Sequence, residues 1–342
     1  MKKVLFFMAM ALSCAFATAQ TNQVVWLNGK VLYGHPITTI VSMTYDMNGM
    51  MEGDTLHLIM PRSTVYVVHD TVVKTNTVYV KDTIYINKCG SEGQGVFSVS
   101  ADKQVSFAKG NLQYQASTKT WRFAENQYDY IGDGNSNISD TYSGWIDLFG
   151  WSGSTGTAKW GIGTSQSYSD YSGDFVDWGT NTIGTDAPDT WRTLTYDEWY
   201  YLWSTRTNAN NLVGVACINL NADGSKYANG LVLLPDNWTC PAGVTFKSGF
   251  ASEYSIQAYA DYQTFTLADW QKLEAAGAVF LPASGSRGGS GVYDVQSYGY
   301  YWSATPGATD GAGCLRFRSY ATGWSYYFRY YGQAVRLVQD LD

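Results

Sequence analysis

Hydrophobic positions follow three different spacings along this chain. Val4 to Ala11 is one short, uninterrupted apolar run behind Lys2 and Lys3. From residue 24 the apolar runs are shorter and richer in β-branched side chains. Val24-Val25-Trp26-Leu27 leads into Asn28-Gly29, a two-residue hairpin signal, and then into Lys30-Val31-Leu32-Tyr33. Thr55 to Met60 predicts a further strand. Residues 20–62 therefore read as a small β-rich unit that buries little apolar surface by itself. Over residues 63–95 an alternating pattern repeats, with Asp70-Thr71-Val72 returning as Asp82-Thr83-Ile84. Such β-propensity, with Thr, Asp and Lys interleaved, predicts an extended stalk-like linker closed by Gly90 to Gly95. The other reading of this stretch is a strand for assembly with another chain.

Helical spacing emerges twice in the remaining chain, residues 96–342. Thr195 and Glu198 have capping-box spacing, each able to satisfy a free N–H of a first helical turn, and Trp199, Leu202 and Trp203 then share a face. Thr266 caps a second segment whose Leu267, Trp270 and Leu273 form the apolar side, and Gly277 suits a left-handed stop. Between them, Asn229 to Leu234 has the pattern of a buried strand ended by Pro235. Asp223-Gly224 just before it predicts a hairpin turn. Aromatic strands are expected at 299–303, 314–318 and 334–338. Two helices against a mixed sheet with long Gly-rich connections predict an α+β domain.

The N-terminal run, too short to span a bilayer, followed by Ala17-Thr18-Ala19, predicts a signal peptide over residues 1–19 and a secreted or cell-surface protein. The alternative is a lipoprotein anchored at Cys14. Export permits disulfides among Cys89, Cys217, Cys240 and Cys314, with Cys217–Cys240 the nearest pair in sequence. A net charge of −7 without a Lys/Arg cluster argues against nucleic acid as a partner, and no later stretch predicts a membrane span. Residues 20–88 are the candidate contact for a cell-envelope partner.

Aromatic residues are 16 % of the chain and charged residues only 15 %. That excess of rings is enough to fill a core and still leave many exposed. It is densest over residues 297–332, where Tyr, Trp and Phe are interspersed with Ser, Gly, Ala and Thr and with Arg316, Arg318 and Arg329. Rigid amphipathic rings among small residues are the material of antibody paratopes, and arginine adds stacking and forked hydrogen bonds. Strand alternation through Cys314-Leu315-Arg316-Phe317-Arg318 directs Leu315 and Phe317 to the core and Cys314, Arg316 and Arg318 outward. The candidate ligand-binding residues are therefore Cys314, Arg316, Arg318, Tyr320, Trp324, Tyr326, Tyr327, Phe328 and Tyr331. Trp302 and Val335 to Val338 read as scaffold.

Trp191-Arg192-Thr193-Leu194-Thr195-Tyr196-Asp197-Glu198-Trp199 resembles the first-helix signature of the C-type-lectin-like fold, as in formylglycine-generating enzymes. Gly299 to Pro306 followed by Gly332 to Val338 resembles the end of the Fibrobacter succinogenes major paralogous domain family, common in gut Bacteroidetes. Val96 to Ser100 and Gly110 to Tyr114 resemble the start of the same module. The C-terminal pattern also resembles the variable proteins of diversity-generating retroelements, whose mutated adenines exclude Lys, Gln, Glu and Met from AAC-derived codons. None of those four occurs between Gln296 and Gln333, although residues 128–158 and 167–197 lack them too. The resemblance implies a C-type-lectin-like domain over 96–342 that displays a ligand-binding face.

Catalytic chemistry finds little support. His35, His57 and His69 all precede the large domain, so it has no histidine base or ligand. Cys314 is a lone cysteine, unlike the reactive set of a formylglycine-generating enzyme. Asp170, Asp174 and Asp177 lie in a Gly/Ser/Tyr-rich loop, where turn-making explains them. Asn219 to Ser225 mimics the start of an EF-hand loop but has Gly230 at the twelfth position, where the bidentate Glu belongs. The expectation is an exported binding protein without cofactor or metal, taking a protein or a carbohydrate. A structural or adhesive component of the envelope or a pilus tip is the alternative, and a carbohydrate-active enzyme a more distant one.

Overall fold

The computed structural model describes four strands within residues 22–66 and the chain from residue 95 to 341 apart from residue 309. The expected signal peptide, Cys14, most of the linker and Cys89 lie outside the described residues. The chain divides into two compact units, residues 1–92 and residues 93–342.

In the first unit, β1 (Asn22–Leu27) and β2 (Lys30–Pro36) pair as the antiparallel hairpin that Asn28-Gly29 predicts. β3 (His57–Met60) joins the other side of β1, and β4 (Ser63–Tyr66) pairs with β3. The β-rich unit thus runs at least four residues into the stretch expected to be linker.

The second unit opens with β5 (Phe97–Ser98), β6 (Gln104–Phe107), β7 (Leu112–Gln115) and β8 (Thr120–Phe123). A long region of turns and short 3-10 segments follows, ending in β9 (Arg192–Thr193) and helix α1 (Tyr196–Tyr200), which continues as one π turn through Thr205. The capping box of α1 is complete. Thr195 Oγ1 accepts from Glu198 N at 3.2 Å and Glu198 Oε2 accepts from Thr195 N at 2.8 Å. Next come β10 (Val213–Asn219) and β11 (Tyr227–Leu233), an antiparallel hairpin turning at Asp223-Gly224, where Gly224 takes a φ of 69°. This is the hairpin expected in place of a calcium loop. Helix α2 (Gln257–Tyr262), β12 (Thr264–Thr266), helix α3 (Leu267–Ala275) and β13 (Val279–Pro282) complete a sheet of order β12-β10-β11-β13. α3 has the expected Thr266 cap, and Gly277 follows in the left-handed region. The short hairpin β14 (Ser286–Gly288) with β15 (Gly291–Tyr293) precedes the aromatic sheet of β16 (Tyr298–Pro306), β17 (Gly311–Arg318) and β18 (Ala321–Phe328).

The last strand, β19 (Leu337–Leu341), returns to pair antiparallel with β6, and so joins the two ends of the unit. It starts later than the expected 334–338 strand. Gln333 and Ala334 instead bridge to Phe149 and Tyr301, and Arg336 turns inward to donate to four oxygens. The second unit is therefore a mixed α+β structure of several small sheets with few helices.

Apolar side chains gather in three cores. One joins α1, β10, β11 and the inner face of β16 and β17 through Trp199, Val215, Leu231, Tyr301, Leu315 and Phe317. A second, around Trp151, Trp178 and Trp302, lies under the long turn region. The third packs Trp270 and Leu273 of α3 on Phe280. Trp302, Val335, Leu337 and Val338 are buried, as their scaffold reading requires. Cys217 is a buried free thiol on β10 and Cys240 an exposed free thiol in a loop, so the expected Cys217–Cys240 bond is not formed. Among the described residues no helix is long and apolar enough to cross a membrane.

Candidate ligand-binding face

β16, β17 and β18 form an antiparallel sheet with β18 at its edge. The register sets which side chains share a side. Tyr298, Tyr300 and Trp302 of β16 stand opposite Arg318, Arg316 and Cys314 of β17. These in turn stand opposite Ala321, Gly323 and Ser325 of β18, and Ala312 opposite Tyr327. The other side carries Leu315 and Phe317 toward the first core, and Trp324 and Tyr326 further out. The predicted alternation is correct for Leu315 and Phe317, and Arg316 and Arg318 are half-exposed on the opposite side.

Cys314 corrects the expectation. It lies on the same side as Arg316 but is only 1 % exposed, packed with Trp302 and Ala312 in the second core. Burial pushes its thiol up to about 12, so it is a neutral, shielded group. Alternation identifies the side of a strand, not how far that side is covered. Arg329, counted among the aromatic stretch's cations, is also buried. It donates to Gly311 O at 3.0 Å and Gly173 O at 3.0 Å and lies 4.1 Å over the Trp151 ring.

The remaining predicted residues separate into three groups. Arg316, Arg318, Tyr320 and Tyr327 border the open part of the first side. Arg318 lies 3.9 Å over the Tyr320 ring, and its Nη1 donates to the Tyr298 hydroxyl at 3.3 Å. Arg316 donates to the Tyr327 hydroxyl at 3.4 Å. Trp324 and Tyr326, each 50 % exposed, lie on the reverse side and pack on Tyr196 of α1. Phe328 and Tyr331 join Tyr168 and Tyr330 at the far end of β18, where Tyr331 also meets Tyr327.

Three features of the first side lie outside the predicted set. Tyr298 and Tyr300 stack at 5.6 Å beneath the arginines, and Tyr300 meets Tyr327 edge-on at 5.2 Å. Tyr254 arrives from a remote loop to contact Tyr298 and Tyr320. That loop is pinned to the β17–β18 turn, because Ser319 Oγ donates to Glu253 O and Ala251 N to Ser319 O, both at 2.8 Å. Strand periodicity was available for Tyr298 and Tyr300; nothing local marks Tyr254. The third feature is space. A Cβ added at Gly323 would meet no atom within 4 Å. With Ala321 and Ser325 as its neighbours on that side, the edge strand forms a low shelf across from Arg316 and Arg318 in the register.

Burial first, then Tyr327, raises the Tyr300 phenol well above its ordinary range, so it stays a neutral donor and acceptor. Elsewhere, Asp177 is structural: it accepts from Gly179 N at 2.9 Å and from Thr193 N at 2.8 Å. Among the described residues no three of His, Cys, Asp and Glu come together as a metal-binding group. No protein-family model, curated protein or solved structure matches this chain.

Proposed function

We propose that this is an exported ligand-binding protein with a C-type-lectin-like domain, and that the ligand sits on the Arg316/Arg318/Tyr327 side of the aromatic sheet. One observation carries the reading. Half-exposed tyrosines and two guanidiniums surround a strip of the edge strand left bare by Ala321, Gly323 and Ser325. Rings and forked donors around vacant space provide contact area at small entropy cost. The fold assignment is supported by the antiparallel meeting of β6 and β19, which joins the ends of the domain, and by the capped α1 packed beside a three-stranded sheet. Binding rather than catalysis is supported by the chemistry of the face, which offers phenols and guanidiniums and a thiol that is buried and neutral.

The test compares the two sides of the sheet on panels of glycans and extracellular proteins. Arg316→Ala with Tyr327→Ala should abolish whatever binding the wild-type chain shows. Trp324→Ala with Tyr326→Ala should leave it. Capture that survives the first double substitution in a folded protein would sink the assignment.

A further inference from the structure

Arg316 and Arg318 differ from the other described arginines in what they hold. Arg122 donates to the Gln113 amide oxygen at 2.9 Å, Arg192 to Glu198 and Asp340 at 2.8 Å, and Arg206 to Asp236 at 3.0 Å. Arg287, Arg329 and Arg336 each donate to backbone carbonyls. Arg316 and Arg318 instead donate hydrogen bonds only to phenol hydroxyls, at 3.4 and 3.3 Å, Arg318 also lying over the Tyr320 ring, and neither forms a salt bridge with a described carboxylate. The Nε of Arg318 is buried without any acceptor. A guanidinium carries five donors, and one that is half-covered and lacks an anionic acceptor has unused hydrogen-bonding capacity. The two side chains are two residues apart on one side of a strand, about 7 Å along it, next to the open space at Gly323. Asp294, the acid beside Tyr300, accepts from the Tyr300 hydroxyl at 3.4 Å.

We infer that the shelf takes an acidic glycan, with a sugar carboxylate or sulfate bound by Arg316 and Arg318 and the sugar ring against Tyr298 and Tyr320. This rests on the binding face proposed above. The choice of a glycan follows from the walls. They are phenols, flat enough to stack on a sugar and able to donate to or accept from its hydroxyls. The shelf itself offers Ala321, Gly323 and Ser325, small residues and not the large anchors around which protein interfaces concentrate their energy. Because the whole chain carries −7, the attraction is local to the two arginines, not a general pull on polyanions.

The experiment follows the full chain by affinity electrophoresis and calorimetry with five probes. Polygalacturonate carries only carboxylates, dextran sulfate only sulfates, galactan and dextran no charge, and polyglutamate carboxylates on a peptide. Retardation by polygalacturonate or by dextran sulfate, and not by the neutral polymers, is expected, and the stronger of the two identifies the anionic group. Arg316→Gln and Arg318→Gln should each weaken binding about tenfold or more, the effect of losing a charge-assisted hydrogen bond. Gly323→Glu should abolish it, whereas Gly323→Lys, of similar bulk, should retain it. Melting curves establish that each variant is folded, and the open space at Gly323 makes both substitutions there tolerable.

Four results would overturn the inference. Neutral polymers bound as well as acidic ones, with binding lost equally in Gly323→Glu and Gly323→Lys, would leave the face in place and remove the anion. Preference for polyglutamate over both acidic glycans would replace the glycan by an acidic peptide. Binding to any probe that is unchanged in all four variants, or no binding to any probe, would remove the acidic-glycan assignment; in the former case the proposed face falls with it.

Discussion

At the scale of single residues, the deeply buried polar groups state the conditions under which this fold holds. Asp147 is wholly buried and accepts from Ile131 N at 2.9 Å and Asn135 Nδ2 at 2.8 Å. Burial outweighs those bonds and pushes its carboxyl up to about 6 from an ordinary 3.8. The folded state therefore binds the proton more tightly than the unfolded state. The stabilisation from protonated Asp147 is fully present below about pH 4 and is lost as pH rises to about 6, a change of about 3 kcal/mol. Asp147→Asn should flatten that slope. Urea unfolding of both proteins between pH 4 and 7 checks it, and parallel profiles would refute it. The cysteines provide a second residue-scale prediction. Burial pushes Cys217 up to about 11 and Cys314 up to about 12, while Cys240 is exposed. Iodoacetamide at mildly alkaline pH should label Cys240 in the folded protein and reach Cys217 and Cys314 only on unfolding, as peptide mapping would show.

At the scale of elements, α1 illustrates how a local signal becomes a tertiary one. Glu198 closes the capping box, and it also pairs with Arg192 of β9 at 2.8 Å and with Lys103 at 3.3 Å. Arg192 reaches Asp340 of β19 at 2.8 Å, so the start of the helix is fastened to the terminal sheet. Thr195→Ala removes one cap acceptor and should cost about 1 kcal/mol. Chemical denaturation measures this, and an unchanged midpoint would mean that the ion pairs alone fix the helix start. Caps of this kind, the Asn28-Gly29 and Asp223-Gly224 turns and the alternation at Leu315 and Phe317 were legible because each is written in a few adjacent residues. α2 was not: it is only six residues long, and its one cap-type bond, Ala258 N donating to Ser255 Oγ at 2.9 Å, precedes no helical run of apolar residues. The depth of Cys314 was not legible either, because the first half of β17 is buried on both sides, Ala312 and Cys314 in the second core and Gly313 against Ser303 and Tyr196. Only past Cys314 does the second side open, at Arg316 and Arg318. Tyr254 and Tyr196 reach the aromatic sheet from segments far away in sequence, and no local pattern announces such a meeting.

At the scale of the whole domain, buried arginines take the place that regular secondary structure leaves empty. Long turn regions present carbonyl oxygens that no ladder satisfies, and a buried guanidinium can donate to several of them at once. Arg287 donates to Leu148 O and Gly161 O, and Arg329 to Gly311 O and Gly173 O, each joining distant turns. Arg336 is the central case. It donates to Asn111 Oδ1 at 3.1 Å, Ala108 O at 3.0 Å, Gln127 O at 3.2 Å and Phe280 O at 2.7 Å, and so fastens the first strands of the domain to its central sheet. Burial lowers its guanidinium to about 10, still high enough to remain charged at neutral pH. Arg336→Met keeps much of the bulk but strands four oxygens in the core, which should cost about 3–5 kcal/mol. For a domain of this size that corresponds to a fall in Tm of roughly 10 °C. Arg336→Lys retains the charge but reaches fewer acceptors, so its Tm should fall between the two. Calorimetry on the three proteins decides the matter. A Met variant melting with the wild type would show that these oxygens find other partners and that the arginine is incidental. A graded loss would show that Arg336 holds the first strands of the domain to its central sheet through these four oxygens.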